Sequence, residues 1–208
     1  MSATTTLEGH NVTPGFPASI PINSSSHITV NALPGTDLWR KPPSTNSVNG
    51  PAYLAHRLLN QFKRARMTVS AEWTRAYDHG GLVFHINSPG EKYQSWVKTG
   101  IEMFEGKPHV STVATPEGGY ADLSLAVASG KSATIEVVAE RPSMKISPFF
   151  CPLRSGIRQV TWAFQENQDL LLGVGIFAAR PTKTEGEETG KGEALVVSFE
   201  DLKIEWTD

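Results

Sequence analysis

The sequence predicts an all-β fold, a two-sheet antiparallel sandwich, from the spacing of its apolar residues and its turns. Apolar and polar residues alternate in four segments, 66–74, 81–87, 93–103 and 133–140. This period of two is the pattern of strands that bury one face. Turn-forming pairs such as Pro34-Gly35 and Gly80-Gly81 separate the segments. Many short strands with regular turns are typical of a sandwich.

Three further segments refine this architecture. Segment 170–179 is apolar on both faces, which predicts a central strand covered on both sides, with Gly173-Val174-Gly175 allowing close backbone packing. In the last segment the inward-facing apolar residues stand at odd positions up to Phe199 and at even positions from Leu202. The extra residue within Glu200-Asp201 predicts a β-bulge there. Segment 52–62 has apolar residues at helical spacing and is the helical candidate.

Length and composition favour one domain. We expect residues 27–208 to form a single β-sandwich and residues 1–26, rich in Ser, Thr, Pro and Gly, to form an extended N-terminal arm. A chain of this length buries about 70% of its unfolded surface, so it needs neither metal nor disulfide to fold. The single cysteine, Cys151, lies among apolar residues and is predicted to pack inertly, with a catalytic thiol as the alternative.

The charge balance argues against two classes of partner. Lys and Arg total 19 and Asp and Glu total 21, for a net charge of −2, which provides no attraction to nucleic acid or to an anionic membrane. The sequence has no apolar run of about 18 residues and no recognisable export signal. We therefore expect a cytoplasmic protein with no nucleic-acid and no membrane partner.

Several chemistries lack their motifs. The sequence has no Gly-x-Ser-x-Gly elbow, no phosphate loop and no dinucleotide fingerprint. The Glu-x-Asp-x-x-Glu strand motif of jelly-roll glucanases is also absent. None of the six histidines lies in a His-x-His or His-Glu-x-x-His arrangement: His10, His27, His56, His79, His85 and His109. We therefore expect no metal and no cofactor.

The candidate site lies on one strand. Alternating residues of segment 93–103 share a face: Gln94, Trp96, Lys98, Gly100 and Glu102. An aromatic ring, a cation and a carboxylate in a row suit a ligand with hydroxyl groups and an apolar face. Lys98 and Glu102 lie about 13 Å apart along a strand, so each needs a partner from a neighbouring strand. Asp78 and His85 are the nearest candidates in the sequence.

A purely structural interpretation of the same residues stays open. Lys98 and Glu102 could form ordinary cross-strand ion pairs, worth about 0.2–1 kcal/mol each. In that case Trp96 covers the edge of the core.

Seven segments carry a pattern of order and spacing that is characteristic of a known family: 36–39, 77–82, 96–102, 111–115, 121–124, 174–181 and 199–204. In this pattern the chain resembles an uncharacterised-domain family that includes the fungal regulation-of-enolase proteins, and the resemblance covers roughly residues 30–206. Trp96-Val97-Lys98-Thr99-Gly100-Ile101-Glu102 is the most specific of them. The resemblance implies a concanavalin A-like jelly roll, a fold shared by lectins, glucanases and carbohydrate-binding modules.

The chain departs from this family near the candidate site. His79 stands where the family commonly has Gln, and Ala121-Asp122-Leu123-Ser124 where it commonly has Ser-Asp-Trp-Ser. The family's Trp-x-x-Leu-Arg segment matches only in part, so Arg154 and Arg158 are alternatives for a site arginine. Because these positions flank the site, the ligand can differ even where the fold is shared.

Three functions are compatible with these residues. The first is binding of a saccharide or polyhydroxylated metabolite on the concave sheet, with Trp96 stacking on a ligand held by Asp78, His85, Lys98 and Glu102. The second is a small-molecule isomerase, cyclase or lyase with His85, Lys98 and Glu102 as acid and base. The third is a regulator of metabolism that binds a protein partner through an exposed apolar patch.

Overall fold

The computed structural model describes residues 5–22, 27–87, 95–148, 157–164 and 170–207. The strands in these residues are β1 (Thr6–His10), β2 (Ser19–Pro21), β3 (Ile28–Ala32), β4 (Leu38–Lys41), β5 (Thr45–Val48), β6 (Ala52–Leu58), β7 (Phe62–Ala71), β8 (His79–Asn87), β9 (Ser95–Phe104), β10 (Lys107–Thr115), β11 (Asp122–Val127), β12 (Ser132–Glu140), β13 (Ser143–Pro148), β14 (Arg158–Val160), β15 (Leu171–Ala179) and β16 (Leu195–Trp206). Helical structure in the same residues is one 3-10 turn, Leu59–Gln61, and no helix there is long and apolar enough to cross a membrane.

Antiparallel pairing assembles these strands into two large sheets. The eight-stranded sheet has the order β11-β10-β9-β8-β15-β6-β1-β2, and the six-stranded sheet has the order β14-β13-β12-β7-β16-β3. Strands β4 and β5 form a separate hairpin. The predicted all-β, two-sheet antiparallel sandwich is confirmed.

The main core lies between the two sheets and follows the alternation in the sequence. On β9, Val97 and Ile101 are fully buried in this core, together with Met67 and Val69 of β7. The central strand β15 pairs with β8 and β6 and is buried on both faces, as predicted. We call the face of the eight-stranded sheet turned away from this core its outer face. Alternation places Trp96, Lys98 and Glu102 there.

A second, smaller apolar cluster covers part of the outer face. It consists of Leu38, Ala52, Leu54, Val83, Trp96, Val113 and Phe177. Leu38 belongs to the β4–β5 hairpin, so this hairpin supplies part of the cover. The alternation in β8 and β9 predicted that the outer faces of these strands are exposed. In the structure, the second cluster covers part of the outer face and a pocket remains beside the hairpin.

Close strand packing explains two glycines. Gly100 on β9 faces Gly81 on β8, and a Cβ atom at Gly100 would lie 2.0 Å from the carbonyl oxygen of Gly80. A Cβ atom at Gly175 would lie 1.8 Å from the carbonyl oxygen of Tyr53. Both distances are far below van der Waals contact. The one at Gly175 confirms the close backbone packing predicted for β15.

Tertiary pairing changes two local interpretations and confirms a third. Segment 52–62 is not a helix, because β6 pairs with both β15 and β1 and only Leu59–Gln61 turns. Within the expected arm, β1 and β2 are strands of the eight-stranded sheet and Leu7 is fully buried in the main core. The β16 bulge is confirmed by a register shift between Glu200 and Lys203. Cys151, Gln94 and Arg154 lie outside the described residues.

Candidate functional site

A pocket of about 400 Å³ opens on the outer face beside the second cluster. Its volume lies within the range of small-molecule sites. The residues that line it come from widely separated segments of the chain: Asp37, Trp39, Tyr77, His79, Lys98, Glu102, Phe104, Leu123 and Pro181. Ionisable groups and aromatic rings therefore face the same space.

Lys98 and His79 form the most defined contact in the pocket. Antiparallel pairing of β9 with β8 brings them onto the same face, and Lys98 Nζ lies 2.8 Å from His79 Nε2. His79 Nδ1 lies 2.7 Å from the carbonyl oxygen of Tyr77. A nitrogen facing a carbonyl oxygen must carry the proton, so Nδ1 donates to Tyr77 and Nε2 accepts from Lys98. His79 is therefore neutral when Lys98 is charged.

Burial lowers the pKa values of both His79 and Lys98. Burial lowers the pKa of His79 well below its usual range, and the nearby Lys98 cation lowers it further. Burial also lowers the pKa of Lys98, while Glu102 and Asp37 oppose that shift. The site thus favours an amine that gives up its proton more readily than a surface lysine does.

Glu102, near the end of β9, also lines the pocket. The residue is buried, and its Oε2 atom has no hydrogen-bond partner within the described part of the chain. Burial raises the pKa of Glu102, the Lys98 cation partly offsets this, and Asp37 adds to it. A buried carboxylate oxygen without a partner is costly to the fold. Because this atom is shielded from solvent, a ligand hydroxyl reaches it only if the Glu102 side chain moves.

Asp37 completes the polar part of the pocket. Its Oδ1 accepts a 2.7 Å hydrogen bond from the backbone N–H of Leu38 and lies 3.7 Å from His79 Nε2. Burial raises the pKa of Asp37, and the Lys98 cation opposes this shift. One cation and two carboxyl groups therefore share the pocket, and their protonation states depend on one another.

Aromatic side chains form much of the rim. Trp39 projects from β4, and Phe104 ends β9. Tyr77 is 48% exposed, adopts a left-handed backbone conformation with φ of 65°, and its ring centroid lies 6.2 Å from that of Phe104. These rings line the pocket with apolar surface, against which the apolar face of a ligand can pack.

Asp78 lies beside the pocket but does not line it. It is completely buried and accepts two hydrogen bonds from Arg180, with Nε to Oδ1 at 3.0 Å and Nη2 to Oδ2 at 2.9 Å. It also accepts from the backbone N–H groups of Thr74 and Arg75. Because the next residues in the chain, His79 and Pro181, do line the pocket, the Asp78–Arg180 pair positions its wall. This corrects the expectation that Asp78 contacts a ligand.

Trp96 and His85 also lie away from the pocket. Trp96 is 1% exposed and packs in the second cluster, so it offers no face for stacking. His85 lies opposite Trp96 and borders a separate cavity of about 30 Å³. Arg158 contacts Asp122 at 2.5 Å and also Ser124, outside the pocket lining. Of the predicted site residues, the structure brings Lys98 and Glu102 together in the pocket.

Two polar residues of the pocket were missed by sequence reasoning. His79 shares the alternation of Gly81, Val83 and His85, so the period of β8 could have placed it on the outer face. Asp37 lies in a segment without periodicity, directly before β4. Its position depends on the hairpin folding across the sheet, for which the local sequence offers no signal.

His79 makes stability depend on pH. Below about pH 6.5 the unfolded chain protonates this histidine and the folded chain does not, so stability is lost as pH falls. His79→Gln keeps an acceptor for Lys98 and a donor for Tyr77 but does not titrate. We expect the free energy of unfolding of the wild type, relative to this variant, to drop by about 1 kcal/mol between pH 7.5 and 5.5. Urea unfolding of both proteins at the two pH values measures this change. The same difference between wild type and variant at pH 7.5 and at pH 5.5 would contradict it.

Comparison with known proteins decides the family. A family model described as a protein of unknown function, DUF1349, matches residues 16–206. The chain belongs to this family. An uncharacterised protein of Emericella nidulans is 43% identical to it over 187 residues, which cover 88% of each chain.

Solved structures similar to this DUF1349 chain share its fold. A functionally unknown protein of Saccharomyces cerevisiae superposes with a TM-score of 0.71 at 20% identity over 97% of both chains. The GH43 protein BlXynB of Bacillus licheniformis gives 0.58 at 12% identity, covering 87% of this chain and 32% of its own. An immunostimulatory antigen and pseudo beta-1,3-glucanase of Mycobacterium tuberculosis gives 0.58 at 10% identity, covering 98% and 91%. At these identities the likeness shows the jelly-roll fold alone.

Proposed function

We propose that the pocket binds a small polyhydroxylated molecule, such as a saccharide or a sugar-derived metabolite. The observation that carries this proposal is the pairing of aromatic rims with buried polar groups in one pocket of about 400 Å³. A sugar ring presents an apolar C–H face that packs on aromatic rings and hydroxyl groups that need donors and acceptors.

Each wall of the pocket has a role in this proposal. Tyr77 and Trp39 cover the apolar face of the ligand, while the Glu102 carboxyl group and the Lys98 ammonium bind hydroxyl groups. The mixed charges of the lining support this assignment, because an ammonium donates hydrogen bonds to hydroxyl oxygens and the carboxyl groups of Asp37 and Glu102 accept them. Similarity of fold to a GH43 protein and to a pseudo beta-1,3-glucanase is compatible with a sugar ligand, though a shared fold leaves the ligand open.

A matched pair of tyrosines tests the proposal. Titration of the chain with a panel of mono- and disaccharides, polyols and sugar acids is expected to find a ligand. Tyr77→Ala is expected to lower the affinity for that ligand by about tenfold, because an aromatic contact is lost. Tyr120→Ala, which removes a 62% exposed ring that does not line the pocket, is the control. A panel with no ligand, or equal affinities in both variants, would contradict the proposal.

A second candidate function is acid–base catalysis in the same pocket. The specific observation in its favour is the contact of Lys98 with neutral His79, close to a carboxyl group whose pKa is raised by burial, Glu102. Groups whose pKa values are moved toward neutrality suit proton transfer in an isomerase, cyclase or lyase. The role as a partner-binding regulator, which the resemblance to regulation-of-enolase proteins implies, stays a prediction.

A further inference from the structure

Three potential metal ligands meet on the outer face, away from the pocket. Glu8 and His10 alternate onto this face of β1, which pairs with β6 in the register Glu8 to Leu54 and His10 to Ala52. His56 lies on the same face of β6. One carboxylate oxygen of Glu8 and one ring nitrogen from each histidine all lie within 4.8 Å of one another.

The chemistry of these side chains matches a borderline divalent cation. Two imidazoles and one carboxylate are a common protein ligand set for Zn²⁺ and related ions. The rings of His10 and His56 meet edge to face, with centroids 5.4 Å apart. Within the described ranges, no protein group forms a hydrogen bond to any of the three side chains, so their ligand atoms stay available.

Gly173 makes room for one of the ligands. It lies opposite His56 on the neighbouring strand β15. A Cβ atom at this position would lie 2.9 Å from His56 Nε2, closer than van der Waals contact allows. The absence of a side chain at Gly173 therefore lets the His56 ring occupy its observed position, independently of the clustering itself.

We propose that Glu8, His10 and His56 bind one Zn²⁺-type transition-metal ion that bridges β1 to β6. The ligands come from two strands that are distant in the sequence, so none of the contiguous histidine motifs reveals them. Three protein ligands leave at least one coordination position of zinc open to water or to another ligand.

Metal titration of the purified, chelator-treated chain tests the site. Calorimetry with Zn²⁺, and the visible absorption of Co²⁺, are expected to show one bound ion per chain and a raised melting temperature. His10→Ala and His56→Ala are each expected to lower the affinity for Zn²⁺ by about tenfold or more. Even substitutions of residues that only contact the metal ligands have effects of that size. His27→Ala, an exposed histidine beside Glu200, is the control and should bind normally.

A glycine variant separates the site from adventitious surface binding. Gly173→Ala is expected to displace the His56 ring and to weaken Zn²⁺, although no ligand is removed. Gly130→Ala, where a Cβ atom meets nothing within 4 Å, should leave affinity unchanged. Absence of binding to the wild type at millimolar zinc would overturn the proposal. So would an unchanged affinity in the His10→Ala, His56→Ala double variant.

Discussion

Arg180→Ala is expected to lower the free energy of unfolding by about 3–5 kcal/mol, the usual effect of breaking a buried ion pair. The substitution leaves the carboxylate of Asp78 completely buried without its charge partner. It also removes donors to the carbonyl oxygen of Glu193 and the hydroxyl of Thr74. Urea unfolding followed by circular dichroism measures the loss.

A surface ion pair provides the control for Arg180. Lys191→Ala breaks the exposed Lys191–Glu188 pair and is expected to change stability by less than about 0.5 kcal/mol. Asp78→Asn is expected to destabilise the chain as Arg180→Ala does, because the guanidinium then keeps only the exposed Glu193 carboxylate, 3.9 Å away. A stable Asp78→Asn variant that merely loses ligand affinity would return Asp78 to the ligand-binding role that the sequence suggested.

Lys98→Met and Glu102→Gln are each expected to lower the affinity of the pocket for its ligand by about 10- to 100-fold. Hydrogen bonds to charged groups contribute about 1.5–3 kcal/mol, and both substitutions keep the approximate shape of the side chain. Titration with the saccharide that the wild type binds measures the loss. Lys145→Met and Glu140→Gln make the same chemical changes in an exposed ion pair on the six-stranded sheet and serve as controls.

The same variants separate binding from catalysis. If the pocket turns over its ligand, Lys98→Met is expected to lower the turnover rate by about 10²–10⁴-fold, the usual contribution of a general acid or base. A pocket that only binds shows no turnover in the wild type and loses affinity in both variants. Wild-type affinity in both variants would contradict the binding role of these side chains, and wild-type turnover in Lys98→Met would contradict the catalytic role.

Much of the sandwich could be predicted because alternation is a local property of the sequence. The burial of Val97 and Ile101, and the shared outer face of Lys98 and Glu102, follow directly from the period of β9. Segment 52–62 shows the limit of this reasoning. Its apolar spacing suits a helix, but pairing of β6 with two neighbouring strands outweighs that local preference.

The site was harder to predict because long-range packing decides it. Trp96 and Lys98 lie on the same face of β9, so the sequence pattern treats them alike. Trp96 is buried because it packs in the second cluster, to which the β4–β5 hairpin contributes Leu38. Asp78 pairs with Arg180, 102 residues away in the chain, and no local pattern signals such a pairing. Charged residues on one strand therefore indicated the face on which the pocket lies but not which of them line it.

Fluorine NMR of the chain labelled with 5-fluorotryptophan tests the central claim most directly. The five tryptophans, Trp39, Trp73, Trp96, Trp162 and Trp206, report on different parts of the fold. Trp39 lines the pocket, whereas Trp73 and Trp96 are buried in the two cores. Addition of the saccharide that binds is expected to shift the Trp39 resonance, assigned with Trp39→Phe, and to leave that of Trp73 in place. A saturating ligand that leaves Trp39 unchanged would contradict the assignment of this pocket as the binding site.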